Sequence, residues 1–181
     1  MPRDATIFDI GCGSGLFLSL LLARGQSIKG IGCEPNRQAI ASAQKASKRL
    51  LDRVDREQNP MTVDFIESTT PQDWPQDTFS VVSLIDVMHH IPPQQQQAFF
   101  EAAVRRVRRG GILLYKDMCK RPFWKAGANR LHDLILARQW IHYVPLTTIK
   151  KWAKSYGLEL TKEEHYSRFV YGHELLVFKN F

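Results

Sequence analysis

Near the start of the chain, Ile7-Phe8-Asp9-Ile10-Gly11-Cys12-Gly13-Ser14-Gly15 combines residue types and spacings suited to chemistry on a charged ligand. An apolar run ending at Ile10 leads into glycines at every second position, and a largely apolar stretch from Leu16 to Arg24 follows. Glycine lets a strand turn tightly into a helix while its backbone closes on a ligand. The helix start then offers unpaired N–H groups and the positive end of a dipole. Dinucleotide folds use the same device but read G-x-G-x-x-G. Here the pattern is G-x-G-x-G, and Leu16 stands where the last dinucleotide glycine belongs. Asp9 also precedes the first glycine by two residues, where a carboxylate repels a pyrophosphate and suits an ammonium or a sulfonium. The expected ligand is a zwitterion or a cation. Glu34 follows Gly15 by 19 residues, at the end of a second strand-like run. An acid so placed meets ribose hydroxyls in nucleoside-binding α/β folds.

Alternating elements must position these groups. Residues 5–10, 27–33, 62–66, 79–85 and 112–115 read as strands, the fourth being nearly continuous in apolar residues, as a strand covered on both faces requires. Helices are expected from Leu16 to Arg24, apolar nearly all round and hence buried; from Asn36 onward, with Ala39, Ile40, Ala43, Ala46, Leu50 and Val54 on one face; and from Pro92-Pro93 to a stop at Gly110-Gly111. The run 94–97 reads as that helix's solvated first turn. Residues 120–145 read as a helical insertion, Thr147 is expected to cap a further helix, and 158–163 and 173–178 complete the strands. Strands alternating with helices predict a parallel sheet wrapped on both faces, here as one domain over 1–181.

D-I-G-C-G-S-G, G-C-E-P-N, F-S-V-V-S-L-I-D-V-M-H-H-I and R-R-V-R-R-G-G-I-L-L together resemble the motifs of the class I S-adenosylmethionine-dependent methyltransferases, in detail over residues 5–117. The resemblance implies a Rossmann-like, doubly wound, mostly parallel seven-stranded sheet with an antiparallel last strand. It also implies S-adenosylmethionine as cofactor. Carried over by position, Asp9, Gly11, Cys12, Gly13 and Gly15 would hold the methionine part, Glu34 the ribose, and Pro35 the adenine. Ile85, Asp86 and Val87 would contact the methionyl side, and His90 the cofactor's edge. The family's usual adenine-binding Asp after the third strand is replaced by Ser68-Thr69. The sequence begins directly at the first strand, where many members carry a covering helix.

A hydroxyl or amine acceptor benefits from a general base. Asp117, leaving the fifth strand, and His132, on the insertion, are the candidates. Cys12 is read as a small apolar filler, Cys33 and Cys119 as packing residues. His89-His90 shows no third ligand, so no metal is expected. Arg105, Arg106, Arg108 and Arg109 read as a solvated helix end away from the site, favoured by the helix dipole.

Composition narrows the class. At 181 residues and 44% hydrophobic, the chain is neither disordered nor fibrous, and its three cysteines form no C-x-x-C pair. No apolar run approaches the ~20 residues of a membrane span, so a cytoplasmic location is expected. Residues 1–90 hold 9 Lys and Arg against 11 Asp and Glu, while 91–181 hold 16 against 7. Five bases against one acid between Lys116 and Arg130 point to an anionic small-molecule or lipid-like acceptor, free or on an acidic carrier. RNA methylation and a non-catalytic cofactor-binding module are the alternatives; against the former, no D/N-P-P-Y-type motif follows the fourth strand.

Overall fold

In the computed structural model, which describes residues 5–26, 28–53, 61–118, 142–168 and 171–181, the chain opens on β1 (Ala5–Ile10). It continues through α1 (Leu16–Ala23), β2 (Ile28–Glu34), α2 (Arg37–Leu51), β3 (Thr62–Glu67), β4 (Phe79–Ile85), α3 (Pro93–Val104), β5 (Val107–Met118), α4 (Leu146–Ser155), β6 (Leu158–Arg168) and β7 (Tyr171–Asn180). The strands form one seven-stranded sheet in the order β3-β2-β1-β4-β5-β7-β6. Pairs among β1 to β5 are parallel, and β7 runs antiparallel to both its neighbours. The expected doubly wound sheet with its antiparallel last strand is therefore the observed one. The order turns outward on either side of β1 and β4, and an open α/β sheet binds ligands at such a switch point, beyond the carboxyl ends of its strands.

Asn36 caps α2 by accepting from the N–H groups of Gln38 and Ala39, satisfying donors that a helix start leaves orphaned. Ile40, Ala43 and Ser47 form its buried stripe. Two apolar clusters hold the layers together. One packs α3 and α4 onto β4, β5 and β7, centred on Phe100, Leu113, Ile149 and Phe178; the other packs α1 and α2 onto β1 and β2.

Several local expectations need correction. Only Leu18 and Leu22 of α1 are buried, while Leu16 and Leu20 are 66% and 48% exposed, because a surface helix turns just one stripe to the sheet. Gly110-Gly111 does not end α3, which stops at Val104; it lies within β5, where the pairing with β4 slips between Phe79 and Val81. A Cβ on Gly111 would fall 2.9 Å from Arg108 O and 3.0 Å from Phe79 O, so the irregularity needs a residue without one. Arg108 and Arg109 thus belong to a strand, while Arg105 pairs with Glu101 one turn back at 2.6 Å. Gln96 is buried rather than solvated. Its Nε2 lies within 3.2 Å of the carbonyl oxygens of Met88, Ile91 and His142, which satisfy it inside the fold. The segment 119–141, with Cys119, His132 and most of the expected insertion, lies outside the described residues. No described helix is long and apolar enough to cross a membrane.

Candidate functional site

The turn after β1 depends on its glycines. Gly11, Gly13 and Gly15 have φ of 67°, 53° and 73°, the left-handed region that costs other residues energy. A Cβ on Gly11 would lie 2.6 Å from a methyl of Val87, so the loop after β4 closes against bare backbone. Cys12 packs on Gly32, where a Cβ would meet its Sγ at 2.8 Å. This is the filler role expected of it, and burial raises its thiol pKa far above the usual range.

A cavity of about 400 Å³ opens beyond the carboxyl ends of β1, β2 and β4. Its walls come from Gly11 and Gly13 after β1; Cys33, Glu34 and Pro35 around the end of β2; Ser68, Thr69 and Thr70 after β3; and Asp86, Val87 and His90 after β4. Of the sequence-derived candidates, Asp9, Cys12, Gly15, Ile85 and Asp117 are not on these walls. Trp74 and Phe99 are, and no motif marked them; Ile91, the last residue of the fourth-strand motif, is as well. Trp74 stands edge-on to both Phe8 and Phe99, with ring centroids 5.7 and 5.1 Å away, which fixes an aromatic surface inside the cavity.

The acidic groups divide by environment. Glu34 ties two elements together: its Oε2 accepts from the N–H of Gly13 at 3.1 Å and its Oε1 from that of Asn36 at 3.2 Å. Asp9 is 2% exposed inside β1, where its Oδ1 accepts from the Ser83 hydroxyl at 2.6 Å. Burial pushes its carboxyl up to about 7, against a smaller downward pull from Ser83. Asp73 folds back so that its Oδ2 accepts from the N–H groups of Thr69 and Thr70. A carboxylate thus reaches the loop after β3 from four residues downstream of Thr69. Asp86 has φ 56° and pairs with Lys116.

Behind the cavity, His89 Nδ1 lies 2.5 Å from Asp117 Oδ1, with both side chains buried. The ring of His90, on the cavity wall, is 4.0 Å from that of His89. Asp117 therefore sits under His89 and does not itself face the cavity. Sequence spacing could not reveal this pairing, which depends on β4 and β5 lying side by side. Among the described residues no group of three His, Cys, Asp or Glu side chains could hold a metal ion.

A methyltransferase domain model covers residues 1–163. The chain belongs to that family. The domain is 30% identical over 109 residues to a ubiquinone biosynthesis O-methyltransferase of Paramagnetospirillum magneticum, covering 60% of this chain and 39% of that protein. It is 25% identical over 153 residues to the protein of the same description from Neisseria meningitidis, covering 84% and 58%. The domain thus spans between about two-fifths and three-fifths of these relatives' lengths. Among solved structures it resembles magnesium protoporphyrin IX methyltransferase from Synechocystis PCC 6803 with bound SAH. That match has a TM-score of 0.78 at 17% identity and covers 98% of this chain and 75% of the other. At that identity the match speaks for the methyltransferase domain's fold.

Proposed function

We propose that this domain transfers the methyl group of S-adenosylmethionine to an oxygen of a small or lipid-like acceptor that also bears an anionic group, free or on an acidic carrier. The observation carrying this reading is the cavity at the switch point, bounded by bare glycine backbone on one side and by Glu34 and Asp86 on others. The residues present fit the cofactor. Asp86 Oδ1 is a buried acceptor that takes no hydrogen bond from the described residues, suited to an ammonium, and the Gly11–Val87 contact leaves room only for backbone. Glu34 keeps lone pairs for ribose hydroxyls beyond its two backbone donors. Pro35, Ser68 and Thr69 would flank the base, with Asp86 and Val87 along the methionyl side and Asp9 behind the loop as a second negative charge. The relatives' printed names favour oxygen as the accepting atom.

When bound, the cofactor supplies a methyl group on a sulfonium. The protein's part is orientation, worth ~7–11 kcal/mol in effective-molarity terms, and removal of the acceptor's proton. We assign that proton to His90, on the wall, with Asp117 acting through His89 to hold the histidine pair; His132 lies outside the described residues. His90→Ala is expected to lower kcat by roughly 100-fold while leaving KM for S-adenosylmethionine nearly unchanged. Asp117→Asn should instead move the acidic limb of the pH–rate profile. A profile identical to wild type in both variants rejects the assignment.

Calorimetry tests the reading as a whole. S-adenosylmethionine and S-adenosylhomocysteine should both bind, and a panel of hydroxylated, carboxylated and carrier-bound acceptors should then identify which releases the demethylated product. Binding without turnover on any acceptor favours a non-catalytic module; RNA binding that weakens steeply with salt favours the nucleic-acid alternative. Glu34→Gln is expected to weaken S-adenosylhomocysteine binding about 30-fold, or ~2 kcal/mol, the scale of one charge-assisted hydrogen bond. A variant that melts lower but binds as wild type would leave Glu34 as a tie between loop and strand only.

A further inference from the structure

Lys116 is a charged residue that the reading above leaves without a task. It lies near the pocket end of β5, opposite Ile85 in the sheet register, and its Nζ pairs with Asp86 Oδ2. Asp86 lies on the cavity wall in a left-handed backbone conformation, a costly state that tends to be kept where function requires it. Its second oxygen, Oδ1, is buried and accepts no hydrogen bond from the described residues, with His173 Nδ1 3.9 Å away. Burial, reinforced by the Lys116 charge, lowers the His173 pKa, against opposite pulls from Asp86 and Asp117. Lys116 and Asp86 thus set one ammonium against one carboxylate at the edge of a cavity proposed to receive another ammonium.

We propose that Lys116 binds the anionic group of the methyl acceptor, and that loading of the cofactor, whose ammonium engages Asp86, is what makes it available. The inference rests on the proposed cofactor site. A carboxylate shared with a second ammonium holds Lys116 less tightly than one that has Lys116 alone, so Lys116 is freer to take an anion in the loaded site than in the empty one. The side chains of Lys116, Asp86 and His173 are 29%, 38% and 30% exposed. Lys116 is thus reachable from solvent yet partly shielded, where an ion pair is stronger than in bulk water. The basic excess of the chain's second half acts in the same direction.

Calorimetry with benzoate and its neutral counterpart benzamide tests this, on wild type, Lys116→Met and Lys116→Arg, each free and saturated with S-adenosylhomocysteine. Wild type should bind benzoate roughly tenfold more tightly when loaded, a coupling of ordinary size, with no such gain for benzamide. Lys116→Met should lose the gain, Lys116→Arg should keep most of it, and Lys116→Met should bind S-adenosylhomocysteine at least as tightly as wild type, because a competitor for Asp86 is gone. Equal benzoate affinity in free and loaded wild type overturns the proposal. Weaker S-adenosylhomocysteine binding by Lys116→Met also overturns it, and assigns Lys116 to the cofactor's own carboxylate. Wild type that fails to bind S-adenosylhomocysteine overturns the proposed function itself, a separate readout. Should Lys116→Met not fold, the reactivity of the Lys116 amine toward acetic anhydride in wild type decides: a rise on loading supports the proposal, and no change or a fall overturns it.

Discussion

Replacing Asp9 with asparagine is expected to stabilise the protein above pH 7 and to change its stability little below pH 4. Burial raises the folded-state pKa of Asp9 to about 7 from an ordinary 3.8. A carboxyl whose pKa is higher folded than unfolded contributes stability in full below the unfolded value, and that stability is lost as pH rises through the folded value. At pH 8 the folded protein must therefore hold an ion in an apolar strand, with the Ser83 hydroxyl donating to it. Three pKa units correspond to roughly 4 kcal/mol, an upper figure. Asparagine keeps an oxygen for Ser83 and carries no charge, so the slope in stability between pH 4 and pH 7 should vanish. Urea unfolding at pH 4, 6 and 8 measures it, and parallel profiles for the two proteins would refute the assignment. The strain has a use under the proposed function. A cationic nucleoside beside Asp9 favours the ionised form, so wild type should release a fraction of a proton on binding near pH 7, whereas Asp9→Asn should release less and bind more weakly. Calorimetry in buffers of differing ionisation heat reads that proton directly.

What the sequence could and could not reveal divides by the range of the interactions involved. The β1 turn was legible because a strand-to-helix reversal imposes its demand on adjacent residues, so Gly11, Gly13 and Gly15 declare themselves. The fourth strand's limits were legible because Phe79–Ile85 is apolar at nearly every position, as burial on both faces requires. Glu34 was placed by spacing, since a strand-turn-helix-strand unit has a nearly fixed length. The pairings that complete the site lie across strands. His89 finds Asp117, and Asp86 finds Lys116, only once β4 and β5 are in register, and no local pattern encodes that register. Gln96 was misread for a related reason: a glutamine in a polar run looks solvated until the carbonyl groups it satisfies are brought over it. The glycines within β5 were misread as a helix end because a bulge and a helix stop use the same residue type.

Gly15→Ala and Gly13→Ala should separate the two functions of the turn. Both residues have left-handed backbone, at φ 73° and 53°, so an alanine at either position costs about 1 kcal/mol in conformation alone. Their surroundings differ. A Cβ at Gly13 would meet nothing within 4 Å, whereas one at Gly15 would fall 2.8 Å from both Ala43 Cβ and the Phe65 ring. Ala43 and Phe65 are buried on α2 and β3, and neither is the loose end of a flexible side chain. Overpacking of this kind adds ~1–3 kcal/mol, so Gly15→Ala should lose roughly 2–4 kcal/mol of stability and Gly13→Ala about 1. Binding should follow the reverse order. Gly13 is on the cavity wall and Gly15 is not, so folded Gly13→Ala should lose more affinity for S-adenosylhomocysteine than folded Gly15→Ala. Denaturation and calorimetry on the same two variants decide it. If both properties fall together in both proteins, the turn acts as one rigid unit; opposite orders would show that Gly15 serves the packing of helix against strand while Gly13 leaves its backbone bare for the ligand.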